Sequence, residues 1–364
     1  MPAKKLPVVW FLALGVVAAL SLTVVFAAKS AAQTADPPRR ISFQISTGST
    51  TGTYFPVGAL LAQLLSHPPG VGRCEAANVC GPSGLIVSTM ASQGSVSNVL
   101  AVNSGMVTSG LVQTDVVSLA VAGQGPFRKI GAAKRLRVIA DLYGEDLHLV
   151  VAKKAKIKTV ADLRGKRVSL SAEGSGTIVT ARAVLAAYGI SEKSIHADYS
   201  SPETAVDLLR AGKLDALFFV GGTPVGLVQP LFDDNLAALI PINGAGLKRL
   251  LTKEPNLSVH TIAKGTYSGS LAVETVSVDA LWIADASQPE NLIYGMLKAI
   301  YNPANRSILQ ASKEGTHFMD PAFGARSGPA PLHPGAARYF TEAGFLKPAN
   351  TALPASRPRA RKSS

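Results

Sequence analysis

An α/β fold with mainly parallel sheets is what this sequence predicts, on three observations. Strand-like and helix-like segments alternate along most of the chain, the pattern of α/β architecture. Several strand-like segments are continuous apolar runs, as in sheets covered on both faces. Turns rich in Gly, Ser and Thr stand where such runs pass into helix-like segments.

Taken in order, strands are expected at Ile41–Ser46, Leu85–Thr89, Ser109–Val112, Arg137–Leu142, Leu147–Ala152, Arg167–Leu170, Ala216–Val220 and Leu239–Ile242. A longer one is expected over Ala272–Ala284. Between them, Thr159 with Asp162 three residues on has the form of a capping box, and Gly165 stops that turn. Ile178, Ala181, Leu185 and Tyr188 fall on one helical face. Ser201 followed by Pro202 is a cap and then the one helical position where proline fits, and Ala205, Leu208 and Leu209 supply the apolar side. Glu290–Tyr301 is amphipathic and precedes a Pro/Gly-rich stretch. No long-period repeat is present.

Lys4 and Lys5 precede a run from Leu6 to Ala28 that carries no charge. A cationic start before an apolar core is the form of an export signal. The run is also close to the ~20 residues that span a bilayer. A cleaved signal and a retained anchor therefore both stand, the second giving membrane contact through the N-terminal segment; either way the body is periplasmic. The remaining length implies two domains. Residues 1–40 are signal or anchor plus linker, 41–140 the first part of lobe 1, 141–242 lobe 2, 243–350 the return to lobe 1 with C-terminal helices, and 351–364 a basic tail. Net charge is +13, but the first forty residues and the tail hold +4 each, which leaves +5 for residues 41–356. That surplus excludes a nucleic-acid groove.

Three turns carry the chemistry. The first is Thr47-Gly48-Ser49-Thr50-Thr51-Gly52-Thr53-Tyr54, the second Glu173-Gly174-Ser175-Gly176-Thr177, and the third Phe218-Phe219-Val220-Gly221-Gly222-Thr223-Pro224. Each follows a strand-like run and leads toward a helix. The first N–H groups of a helix have no internal partner and carry partial positive charge, so such turns suit a small anion. No lysine follows the glycines of the first turn, which excludes a phosphate-binding P-loop. Gln113 is a fourth candidate, offering an amide, or else pointing outward from a capped turn. The six histidines are scattered; His67, His196, His317 and His333 sit in loop-like contexts that face solvent, and His148 lies in a strand. No nucleophile elbow, metalloprotease motif or metal-ligand spacing occurs. The sequence therefore points to no enzyme, no metal and no cofactor. Cys74 and Cys80, in an exported chain, either pair as a local staple or remain two thiols.

The segments TGSTTGTYFPVG, GSVSNVLAVNSG, GLVQTD, LYGEDLHLVV, IKTVADLRGKRVSLSAEGSGTIVTARAVL, LLRAGKLDALFFVGGTP and IAKGTYSG together resemble the TAXI solute receptors of TRAP transporters, over roughly Ile41 to Leu346. The resemblance implies a type II periplasmic-binding-protein fold of two lobes and a hinge. It implies capture of a small organic anion, glutamate-like or another dicarboxylate, by cleft closure, and delivery to the membrane subunits of a TRAP permease. By motif, Gly48, Thr51, Gly52, Thr53, Tyr54, Gln113, Ser175, Gly176, Thr177, Val220, Gly221 and Gly222 would line the cleft. The first turn reads GSTTG where many relatives have GGTGG. The alternative function is a membrane-anchored sensor of the same fold that signals to a partner without transport.

Overall fold

The structure, a computed structural model, describes residues 40–311, 320–326 and 328–347. The export segment, the basic tail and His317 lie outside the described residues. Among the described residues no helix is long and apolar enough to cross a membrane.

The described strands are β1 (Ile41–Ser46), β2 (Leu85–Met90), β3 (Ser109–Gln113), β4 (Leu136–Ala152), β5 (Arg167–Ser169), β6 (His196–Asp198), β7 (Ala216–Gly221), β8 (Ala237–Leu239), β9 (Ser258–Ile262) and β10 (Val273–Asp285). They form one sheet in the order β2-β1-β3-β10-β4-β7-β5-β6, with β8 on β4 and β9 on β10. This is the α/β architecture expected. The sheet is mixed, however, where mainly parallel pairing was expected. β1 runs parallel to β2 and β3, and β5 parallel to β6 and β7. β4 and β10 pair antiparallel with each of the strands beside them.

The reason lies in these two long strands, which cross the middle of the molecule. β4 pairs with β10 through its first part and with β7 over Asp146–Val151. Sequence reading divided it in two because Tyr143–Asp146 interrupts the apolar run. The strand continues through that interruption, and Glu145 and Asp146 are buried in it. β6 and β9 were not expected at all. Both are short and largely solvent-facing, so neither shows an apolar pattern.

Each half of the sheet is covered on both faces, and side-chain alternation divides the cores. In β10, Ala280, Trp282 and Ala284 face one core with Phe43, Leu61 and Met296, while Leu281 and Ile283 face another with Val112, Val116 and Phe127. In β7, Phe218 and Val220 pack with Ile178 and Leu185, while Leu217 and Phe219 pack with Leu209 and Phe232.

Five helices position the site: α1 (Tyr54–Leu65), α2 (Ser95–Asn103), α3 (Thr114–Ala122), α4 (Thr177–Ala187) and α5 (Pro202–Arg210). The Ser201 side chain caps α5 by accepting from the Thr204 N–H. The Thr159/Asp162 capping box forms too, over a short 3₁₀ turn. Cys74 and Cys80 are joined by a disulfide and both are buried. Arg73 and Asn305 fasten that loop by donating to the Val79 carbonyl. His148 is buried. His333, expected in solvent, is 1% exposed, because its ring nitrogens cap a helix at Gly335 N and meet the Gln288 carbonyl.

Candidate functional site

A cavity of about 320 Å³ lies where the two halves of the sheet meet. Gly48, Gly52, Thr53, Tyr54, Gln113, Ser175, Gly176, Thr177 and Val220 line it. Thr51, Gly221 and Gly222 do not. Thr51 turns its hydroxyl to Glu203 Oε1 at 2.6 Å. Gly222 donates its N–H to Thr53 Oγ1 at 3.0 Å. Gly221 packs so closely that a Cβ there would lie 2.7 Å from Phe219 Cε1 and 3.0 Å from Thr53 Oγ1. The third turn also opens no helix directly: a loop intervenes before the five-residue helix Gln229–Asp233.

The hydroxyls of the turns are mostly committed to holding protein to protein. Ser175 Oγ accepts from the Ile178 N–H at 3.2 Å. Thr177 Oγ1 accepts from the Val220 N–H at 3.1 Å. Gln113 Nε2 donates to Thr180 Oγ1 at 3.0 Å and to Asp115 Oδ1 at 3.4 Å. Gln113 therefore lines the cavity, but its amide nitrogen is not free for a solute. The backbone amides remain. Those of Thr53 and Tyr54, of Ser95 and Val96, and of Gly176 and Thr177 have no partner among the described residues. These are the starts of α1, α2 and α4, so three helix N-termini bring their partial positive charge to one space.

Several lining residues were not anticipated. Ser171 is 2% exposed. Its hydroxyl has no hydrogen-bond partner among the described residues, and its φ is +73°, a conformation uncommon for a residue with a Cβ. A buried, unpaired hydroxyl on strained backbone at a cavity wall is the kind of group a bound molecule would satisfy. Gly94 lets α2 approach α4: a Cβ there would lie 3.2 Å from Ser175 Cα.

Two acids also line the cavity, Glu145 and Glu203, and among the described residues no lysine, arginine or histidine does. Burial works to raise the Glu203 carboxyl, but hydrogen bonds from Ser49 and Thr51 outweigh it and hold the group below its ordinary range. Glu145 is the opposite case. It is 2% exposed, and burial pushes its carboxyl up to about 8, the bond from Tyr54 opposing and the negative charges of Asp115, Asp146 and Asp279 adding to the rise. Tyr54 donates its OH to Glu145 Oε2 at 2.8 Å, and burial raises the Tyr54 phenol well above its usual range.

The pattern of one protein family, described as the NMT1-like family, matches residues 45–344. The chain belongs to that family. The cavity, all its lining turns and the crossing strands fall inside the NMT1-like region. The resemblance to TAXI receptors is thereby corrected, and delivery to a TRAP permease and a dicarboxylate solute, which rested on it alone, fall with it.

Solved structures similar to this NMT1-like chain include three of low identity. One is a protein from Bordetella bronchiseptica RB50, 18% identical, covering 86% of this chain and 92% of that one, with a TM-score of 0.47. Another is the alkanesulfonate-binding protein SsuA of Xanthomonas axonopodis pv. citri bound to MOPS, 19% identical, covering 74% and 77%, with a TM-score of 0.40. A third is a binding-protein component of an ABC phosphonate transporter from Pseudomonas aeruginosa, 10% identical, covering 77% and 82%, with a TM-score of 0.46.

Glu145 also sets a pH dependence of stability. Its folded-state value of about 8 lies above the ordinary 4.5, so the native state keeps a proton that the unfolded chain releases. Stability from this group is therefore complete below about 4.5, declines as pH rises, and levels off above about 8. The expected result is that Glu145→Gln gains melting temperature over the native protein progressively between pH 5 and pH 8. A constant difference across that range would show that Glu145 is ionised in the fold.

Proposed function

We propose that this protein is an extracytoplasmic receptor that captures a small organic anion in the cavity and hands it to a membrane transporter. The observation that carries the reading is the convergence of three helix N-termini, with unpartnered amides, around a buried hydroxyl that lacks a bond. Amide donors surround an anion without a metal or an ion pair. The charge-free run after Lys4 and Lys5 supports export of the body to the periplasm.

Capture proceeds by closure of two lobes, the two halves of the sheet moving about the crossing strands β4 and β10. The bonds that join the halves over the cavity are polar: Thr53 to Gly222, Ser49 and Thr51 to Glu203, Ser97 N to the Gly174 carbonyl at 3.0 Å, and Thr180 to Gln113 and Asp115. Contacts of this kind open and reform at small cost, which a hinge requires. The protein binds and carries, and performs no reaction on its solute.

Ser171→Gly tests the reading. Glycine tolerates the positive φ and removes the unpaired hydroxyl. The protein should melt at the same temperature or higher, while anion affinity, measured by calorimetry, falls by about tenfold, the equivalent of one hydrogen bond to a charged group. An affinity equal to that of the native protein would remove Ser171 from the site.

A further inference from the structure

The second acid of the cavity, Glu203, sits as an acceptor under two hydroxyls. Glu145 is placed differently. Tyr54 occupies Oε2 as a donor, and no described residue bonds Oε1. Among the described residues, no lysine, arginine or histidine lines the cavity. The ionisable groups around Glu145 are Tyr54 from α1, Asp115 from α3, Asp146 beside it on β4 and Asp279 from β10. The three aspartates disfavour a carboxylate charge there while the Tyr54 bond works the other way, and Ser95 adds only a neutral hydroxyl, 3.4 Å from the Tyr54 oxygen.

From this geometry we propose that Glu145 is a specificity-determining residue, a neutral carboxylic acid whose Oε1–H donates a hydrogen bond to an oxygen of the bound anion. The proposal rests on the reading of the cavity as an anion-binding cleft, and it names the part of the solute that is read: an acceptor oxygen, not an ammonium. A solute ammonium at Glu145 would lie among three positive helix ends; an anionic oxygen is favoured by those ends and by the acid proton together. The proton that Tyr54 keeps on its own oxygen fixes the direction of the chain, Tyr54 to Glu145 to solute. The burial that raises the Glu145 carboxyl keeps the donor in place at neutral pH. Capture is then linked to protons: raising pH removes the donor and sets a carboxylate against the anion.

The test is calorimetric titration of the full protein with acetate, pyruvate and methanesulfonate, and with methylammonium and ethylammonium, at pH 6.5 and 9.5. The three anions keep one charge across this range. The expected result is that at least one anion binds at pH 6.5 and binds about tenfold more weakly at pH 9.5. Glu145→Gln, which keeps a donor but does not titrate, should hold affinity within about threefold at pH 6.5 and lose the pH dependence; Glu145→Ala should be weaker at both. Anion affinity independent of pH in the native protein would overturn the proposal. So would ammonium binding that Glu145→Gln abolishes; that result would leave a working cleft whose acid is an ionised acceptor. Binding of neither charge class at about 10 mM would overturn the cleft reading itself, and this inference with it.

Discussion

Gly176→Leu is expected to lower solute affinity by about 100-fold or more while leaving the fold intact. A Cβ at position 176 would overlap Gln113 Oε1 and Cδ, and would lie 2.7 Å from Ser95 Oγ. Gln113 and Ser95 belong to β3 and α2, in one half of the sheet, whereas Gly176 opens α4 in the other. The overlap therefore arises only when the halves meet. Overpacking of a few methylenes costs typically 1–3 kcal/mol, and about 3 kcal/mol corresponds to roughly 150-fold in affinity. Because the clash is with the opposite half, α4 keeps its own packing of Ile178, Val184 and Leu185. Melting should change little. Calorimetry with any bound anion, beside a thermal melt, separates the outcomes: lost binding with a kept melt supports closure. Unchanged binding would mean the halves need not meet. A collapsed melt would mean that the contact is permanent, not part of a motion.

Trp282→Ala is the largest expected change in stability, about 3–5 kcal/mol. Trp282 is fully buried in β10. It meets Phe43 edge-on at 6.1 Å between ring centres and donates its ring N–H to Ser109 Oγ at 3.0 Å. Three strands, β1, β3 and β10, are thus joined at one side chain, so its removal opens a void that rigid sheet residues do not fill. Denaturant unfolding should show a lower midpoint with an unchanged slope, and the melt should fall by roughly 10 °C. A loss under about 1 kcal/mol would show that the core at this point repacks freely.

Much of this was legible in the sequence, and the reason is local. β1 was read to the residue because Ile41–Ser46 is bounded by arginines on one side and a Gly/Ser/Thr turn on the other. The turns at Gly48–Tyr54 and Ser175–Thr177 were legible because strand, turn and helix are consecutive and the amides of the turn follow from that order. The crossing strand β4 was not legible. Its polar centre looks like a boundary, and only pairing with β10 and β7, distant in sequence, keeps it extended. For the same reason Glu145 went unnoticed as a site residue: an acid between two apolar runs reads as a turn until the strand is seen to continue. Ser171 carried no sequence signal, since neither a positive φ nor a missing partner is visible in the letters LSAEGSG. Thr53, Ser175 and Thr177, read from the sequence as groups facing a solute, line the cavity, but their hydroxyls accept from the N–H groups of Gly222, Ile178 and Val220. The Thr53 bond joins the two halves, which neither turn shows alone.

Native mass spectrometry of the protein purified from its own cells tests the central claim most directly. The native protein is expected to carry a small organic adduct at one-to-one stoichiometry, and Gly176→Leu to carry none under the same conditions. The same adduct on both proteins would contradict the account, because it would place the solute somewhere other than between the Thr53 and Gly176 turns.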